Sequence, residues 1–239
     1  MSNPKTVGVD IGNTSIKTAE FFDSDIGEIK KWTNLSLVEN AYPEALFVVS
    51  SVGMRTAEVR SLLKSSLILD TNTALPILLN YQTPDTLGSD RLAAAVGAWR
   101  LFPERNILVV DAGTCVTYDL VTSDGVFQGG MISPGLEMRL KAMHQFTNGL
   151  PIVKISEEFS EELVGQSTSA CILAGARHGL KHEIEGILES FNKKHDRLQV
   201  VATGGLSLGF ESTANTRIFA NSKIVLSGLH AIWKFNEST

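Results

Sequence analysis

The feature that most constrains the fold is an internal repeat. Residues Thr6–Val9 read as a strand, Asp10–Thr14 as a tight glycine turn, and Ile16–Phe22 as a second strand. A turn at Ser24-Asp25-Ile26-Gly27 then leads to a third strand from Glu28. About a hundred residues later the order returns: Ile107–Val110, the loop Asp111–Cys115, Val116–Val121, the turn Ser123-Asp124-Gly125, and Val126-Phe127-Gln128. Two β-meanders, each led by an acidic glycine loop, predict a duplicated domain with a cleft between its halves rather than a solenoid.

After each meander, helical and strand patterns alternate. The first half offers a buried strand Leu46–Val52, a helix Thr56–Leu63, a strand near Ile77–Tyr81 and a helix Ser89–Leu101 stopped by Pro103. The second offers a helix Leu136–Phe146, a long helix from about Thr168 to Lys193, a strand Leu198–Ala202 and a closing helix near Ile224–Phe235. This is an α/β pattern with mixed sheets. The boundary falls near Pro103–Asn106, dividing the chain into lobes 1–104 and 105–239.

Composition narrows the partners. The net charge of −5, with no Lys/Arg-dense stretch, argues against nucleic acid. No apolar run approaches the roughly 18 residues of a membrane helix, and the first residues lack a secretory core. The expectation is a soluble cytoplasmic protein without a membrane partner. Cys115 and Cys171 suit a reduced compartment and read as unbridged.

An acidic residue followed by Gly and then Asn or Thr, at the end of a buried strand, lets backbone N–H groups approach a phosphate while the carboxylate holds a hydrated metal ion. Lys17, on the following strand, adds a positive charge at the same place. A lone loop of this kind is also an ordinary turn; two in matching positions favour phosphate binding. Thr203-Gly204-Gly205 and Gly129-Gly130-Met131-Ile132-Ser133-Pro134-Gly135 are further glycine elements, readable either as nucleotide contacts or as tight helix entries. The chain has no Walker P-loop and no Gly-x-Gly, which excludes the P-loop, dinucleotide and protein-kinase routes to a nucleotide.

The segment Tyr81 to Arg91 enters the helix Leu92-Ala93-Ala94-Ala95-Val96. Ser89 or Asp90 reads as its N-cap. Arg91 opposes the helix dipole there and therefore has another use, for which bidentate pairing with a carboxylate is the natural candidate. With the phosphate loops, Asp90 reads as the carboxylate that aligns an attacking hydroxyl in phosphoryl transfer. His178 and His182 are spaced i, i+4 without the zinc-site glutamate and read as a solvated face; no triad motif is present.

Taken together, Asp10-Ile11-Gly12-Asn13-Thr14 with Lys17, Gly88-Ser89-Asp90-Arg91, Asp111-Ala112-Gly113-Thr114, the Gly129–Gly135 stretch and Thr203-Gly204-Gly205 resemble the type III pantothenate kinases. These belong to the acetate/sugar-kinase, chaperone-ATPase and actin superfamily. The motifs run from residue 10 to 205 in the family's order. The resemblance implies duplicated actin-like (ribonuclease H-like) domains and ATP-dependent phosphorylation of pantothenate, the first step of coenzyme A biosynthesis. It implies that Asp10, Ile11, Gly12, Asn13, Thr14, Ser15, Ile16 and Lys17 hold the ATP phosphates, with Asp10 near Mg2+ or another divalent ion, and that Thr114, Gly204 and Gly205 contact the nucleotide. Asp90 is the implied proton acceptor. Tyr81, Gly88, Ser89, Asp90 and Arg91 line the pantothenate pocket, Arg91 facing the substrate carboxylate. Asp111 matches the acid that binds K+ or NH4+, and Thr168 a threonine that contacts pantothenate at a homodimer interface. Two alternatives stay open: another phosphotransferase of the superfamily, and a nucleotide-binding regulator without catalysis.

Overall fold

The computed structural model describes residues 5–64, 66–155, 162–204, 212–213 and 216–237. In chain order the first half comprises β1 (Thr6–Ile11), β2 (Ile16–Phe21), β3 (Lys30–Trp32), α1 (Leu35–Ala41), β4 (Leu46–Ser51), α2 (Thr56–Leu62), β5 (Ser66–Ile68), β6 (Leu78–Leu79) and α3 (Ser89–Leu101). The second comprises β7 (Ile107–Ala112), β8 (Cys115–Val121), β9 (Val126–Pro134), α4 (Leu136–Gln145), α5 (Thr168–Lys194), β10 (Gln199–Gly204), β11 (Ser212–Thr213), β12 (Thr216–Ala220) and α6 (Ile224–Glu237).

The sheet orders make the duplication visible. One sheet runs β3-β2-β1-β4-β5 and the other β11-β12-β10-β7-β8-β9-β6. In each, an antiparallel meander adjoins two strands parallel to its first: β4 and β5 beside β1, β10 and β12 beside β7. This is the duplicated actin-like arrangement. The helices α3 and α6, which follow the last parallel strand of each copy, pack on one another between the sheets.

Side-chain alternation along the strands sorts the core into three layers. Val7, Val9 and Ile11 point outward under α1 and α2, beside Leu35, Val38 and Val59. Leu108, Val110 and Ala112 point outward under α4 and α5, beside Leu140, Leu180 and Ile184. Ala19, Val48, Val109 and Val121 face the middle layer, where α3 and α6 supply Ala93, Val96, Leu226 and Leu229. In β1 and β7, therefore, Asp10 and Asp111 occupy positions on the inner face, at the strand ends.

Two elements cross residue 104. β6 pairs with β9 in the second sheet, and α6 packs against α3 and β1 of the first half. α1, β5 and β12 were not anticipated from the sequence, and β6 is shorter than the strand expected near Ile77–Tyr81.

Candidate active site

The two acidic loops meet. Gly12 N–H donates to Ser15 O at 3.2 Å and Gly113 N–H to Cys115 O at 2.9 Å, closing corresponding turns of which the second is one residue shorter. The hydroxyls of Thr14 and Thr114, one from each loop, lie 3.1 Å apart. The inner-face acids behave as one electrostatic group. Burial pushes the Asp10 carboxyl up to about 7; Lys17 opposes the rise, and the charges of Asp90 and Asp111 add to it. Burial followed by the Asp90 charge raises Asp111 to about 6, again against Lys17. Lys17 sits directly across from Asp10 in the β1–β2 register.

Glycines set how closely the backbones approach. A side chain on Gly53, just after β4, would put its first carbon 2.7 Å from Gly12 O. On Gly135 it would meet Gly113 O at 2.4 Å, so α4 begins directly on the second loop. Gly204, with φ +105°, lies against Ala112 O, and Thr203 pairs with Asp111. Gly205 lies outside the described residues. Gly53 was not singled out from the sequence, although a Gly just beyond a buried parallel strand is the same signal that marked Gly204.

Asp90 enters the group from α3. The helix is capped by Gly88 rather than by Ser89 or Asp90, and no side chain bonds its first turn from the cap position. A side chain on Gly88 would put its first carbon 2.6 Å from Asp90 Oδ1, so any larger residue there must displace that carboxylate. The Ser89 hydroxyl is used internally, accepting from Ser51 N–H at 2.9 Å and lying 3.0 Å from the Ser50 hydroxyl, which ties α3 to the end of β4 beside Asp10. Asp90 Oδ1 accepts from the Arg91 N–H at 2.8 Å. Burial raises the Asp90 carboxyl, with the Arg91 N–H and guanidinium opposing.

Arg91 has a carboxylate partner within the chain. Its Nε donates to both oxygens of Asp119 at 3.1 Å, and its Nη2 to Oδ1 at 2.5 Å. Burial opposes the charge of the guanidinium, and Asp119, with the nearby Tyr81 hydroxyl, outweighs it and favours the charged form. Asp119 is buried on the inner face of β8, the face it shares with Thr117. Sequence reasoning missed it, because its spacing from Arg91 carries no local pattern. Tyr81 itself rests on Gly129, whose φ is +83° and where a side chain would meet the ring at 3.2 Å.

Thr168 is exposed at the first position of α5, capped by Ser167 Oγ accepting from Ala170 N–H at 3.2 Å. No hydrogen bond or ion pair among the described residues joins it to the acidic cluster. Nor do those residues contain three or more His, Cys, Asp or Glu placed to hold a metal ion on their own. Asp10 and Asp111 offer hard oxygen donors that accept no hydrogen bond from described residues. That suits a divalent ion held by one or two carboxylates and completed by substrate phosphates.

Comparison with known proteins adds the family. A model described as type III pantothenate kinase matches residues 6–190. A type III pantothenate kinase of Christiangramia forsetii is 40% identical over 240 residues, covering 96% of this chain and 98% of its own. Among solved structures, a Campylobacter jejuni protein assigned to the Baf family of transcriptional activators superposes with TM-score 0.65 at 20% identity, covering 98% of this chain and all of its own. A Sinorhizobium meliloti protein described as a 2-dehydro-3-deoxygalactonokinase superposes with TM-score 0.61 at 14% identity, covering 96% of each. These two similarities concern the fold alone. The extent of the profile match and the full-length identity, over loops that converge as described, make this chain a member of the type III pantothenate kinase family.

Proposed function

We propose that this chain transfers the γ-phosphoryl group of ATP to the terminal hydroxyl of pantothenate, giving 4'-phosphopantothenate in the first step of coenzyme A biosynthesis. The observation that carries the reading is the convergence of Asp10, Asp111 and Asp90 where the two threonine hydroxyls meet. In phosphoryl transfer the protein's work is positioning and charge neutralisation. The Asp10–Lys17 loop, Thr114, Gly204 and Gly205 hold the nucleotide. The substrate oxygen attacks the γ-phosphorus, the bond to the bridging β–γ oxygen breaks, and the hydroxyl proton passes to Asp90. A carboxyl raised by burial is better matched to that role at neutral pH than a solvated one.

In this reading Asp10 holds Mg2+ or another divalent ion through the phosphates, and Asp111 a K+ or NH4+ ion; the cations would neutralise phosphate charge. Tyr81, Gly88, Ser89 and Arg91 line the pantothenate pocket, Ser89 through its backbone because its hydroxyl is engaged. Thr168 acts on the pocket of a second copy, in a homodimer. Its exposure supports this, as do the exposed apolar side chains Phe146, Ile152, Leu163 and Val164 in the preceding stretch. The lobes 1–104 and 105–239 close on ligand. A cytoplasmic location follows from the use of ATP, and no helix among the described residues is long and apolar enough to cross a membrane.

The test is a coupled ADP-release assay with and without pantothenate, in K+ and then in Na+ buffer, with light scattering for the dimer. Release that requires pantothenate and is stimulated by K+ is expected. Equal release without pantothenate defeats the kinase reading, and turnover indifferent to K+ defeats the Asp111 assignment.

A further inference from the structure

Arg91 stands in the first turn of α3, where a cation is disfavoured by the helix dipole, and its side chain is 8% exposed. A buried guanidinium needs a partner, and Asp119, 1% exposed, supplies it along one edge, through Nε and Nη2. Of the five N–H groups of an arginine, that edge consumes two. The N–H groups left for a further acceptor are those of Nη1 and the outer one of Nη2, and the plane in which they lie is fixed by Asp119. The surroundings constrain the pair: Asp119 lies opposite Gly130 beside an irregularity in the β8–β9 register, and Tyr81 packs on the neighbouring Gly129.

We propose that Asp119 is a positioning and specificity-determining residue: by holding Arg91 edge-on, it presents the remaining guanidinium edge to the acceptor carboxylate in one orientation and so makes the site select a carboxylate-bearing alcohol. Asp119 acts through Arg91 and touches no substrate. The inference rests on the kinase reading above and deepens it.

The experiment is steady-state kinetics of the full-length chain with pantothenate and with pantothenol, which carries a hydroxymethyl group in place of the carboxylate. Wild type is compared with Asp119→Asn and Asp119→Glu. The Asn variant is expected to raise the KM for pantothenate about ten- to hundredfold, the scale of one charge-assisted hydrogen bond, with the KM values for ATP and pantothenol within about twofold. The preference for pantothenate over pantothenol then shrinks by the same factor. An unchanged or lowered pantothenate KM overturns the proposal. So does a loss of kcat shared equally by both alcohols with a raised ATP KM, the mark of a merely structural role. If Asp119→Asn does not fold, Asp119→Glu decides. It keeps the charge one methylene farther out, so a raised pantothenate KM with an intact ATP KM supports the proposal and an unchanged one overturns it. A wild type that does not turn over pantothenate defeats the functional reading and this inference with it; a working wild type with an indifferent Asp119 defeats this inference alone.

Discussion

Arg91 and Asp119, one on the first turn of a helix between the two sheets and the other inside the second sheet, form a buried two-point ion pair that ties the halves together. Such a pair is costly to break from one side, since the surviving charge remains buried. Asp119→Ala is expected to lower the free energy of unfolding by about 3–5 kcal/mol in urea titrations. The double variant Arg91→Met with Asp119→Leu, which removes both charges, should recover most of it. A loss below about 1 kcal/mol in the single variant would show that water reaches the guanidinium.

Asp90→Asn keeps the shape and removes the carboxylate proposed as the proton acceptor. The expected result is a fall in kcat of roughly 10²- to 10⁴-fold, with ATP binding by calorimetry unchanged, because the proposed nucleotide contacts lie on the other loops. Retained turnover with pantothenate would exclude Asp90 as the base.

The fold and the acid loops were legible because they are local and repeated. Short apolar runs marked β1 and β7, which are buried almost throughout, and the recurrence of Asp-x-Gly-x-Thr/Cys marked the duplication. The span of α3 could be read from its alanine-rich core face and the proline beyond its end. What stayed hidden is non-local. The odd position of Arg91 pointed to a carboxylate but not to Asp119, 28 residues away across two elements. The Ser89 hydroxyl was open to either pocket or scaffold, and only the approach of β4 shows it bonded to Ser50 and Ser51. β12 and α1 were missed because short strands and one- to two-turn helices carry too few periods to stand out from surrounding loops.

Thr114 and Thr14 test the convergence of the loops. Thr114→Val keeps the volume and removes the hydroxyl that meets Thr14 at 3.1 Å. Loss of one neutral hydrogen bond predicts a rise in the ATP KM of about three- to tenfold, with the pantothenate KM unmoved. A change confined to pantothenate would place Thr114 on the wrong substrate.

The raised carboxyls predict an unusual pH dependence of stability in the ligand-free chain. Asp10 moves from 3.8 to about 7 and Asp111 from 3.8 to about 6 on folding, so between those limits the folded state binds more protons than the unfolded one. Stability attributable to these groups is therefore fully present below pH 3.8 and is lost as the pH rises from there through about 6 to 7. Thermal melts in chelator should show a falling midpoint from pH 5 to 8, and Asp10→Asn should flatten that slope. A midpoint that rises over the same range in both proteins would contradict the burial of these acids.

The crossing of α3 and α6 links packing to the site. A side chain on Gly228 would put its first carbon 1.7 Å from Ala93 O, and one on Gly97 would reach 2.4 Å from Ile224 O, so the two helices touch backbone to backbone. Gly228→Ala must push α3 away, an overpacking cost of about 1–3 kcal/mol. Because the same helix carries Asp90 and Arg91 on its first turn, kcat/KM for pantothenate should fall together with the melting temperature. Gly186→Ala is the control, since that glycine is exposed on α5 with no atom within 4 Å of the added carbon. It should leave activity alone and stabilise by up to about 1 kcal/mol through helix propensity. If Gly228→Ala lowers the melting temperature without touching kcat/KM, the helix crossing supports the fold but does not place the Asp90 carboxylate for the reaction.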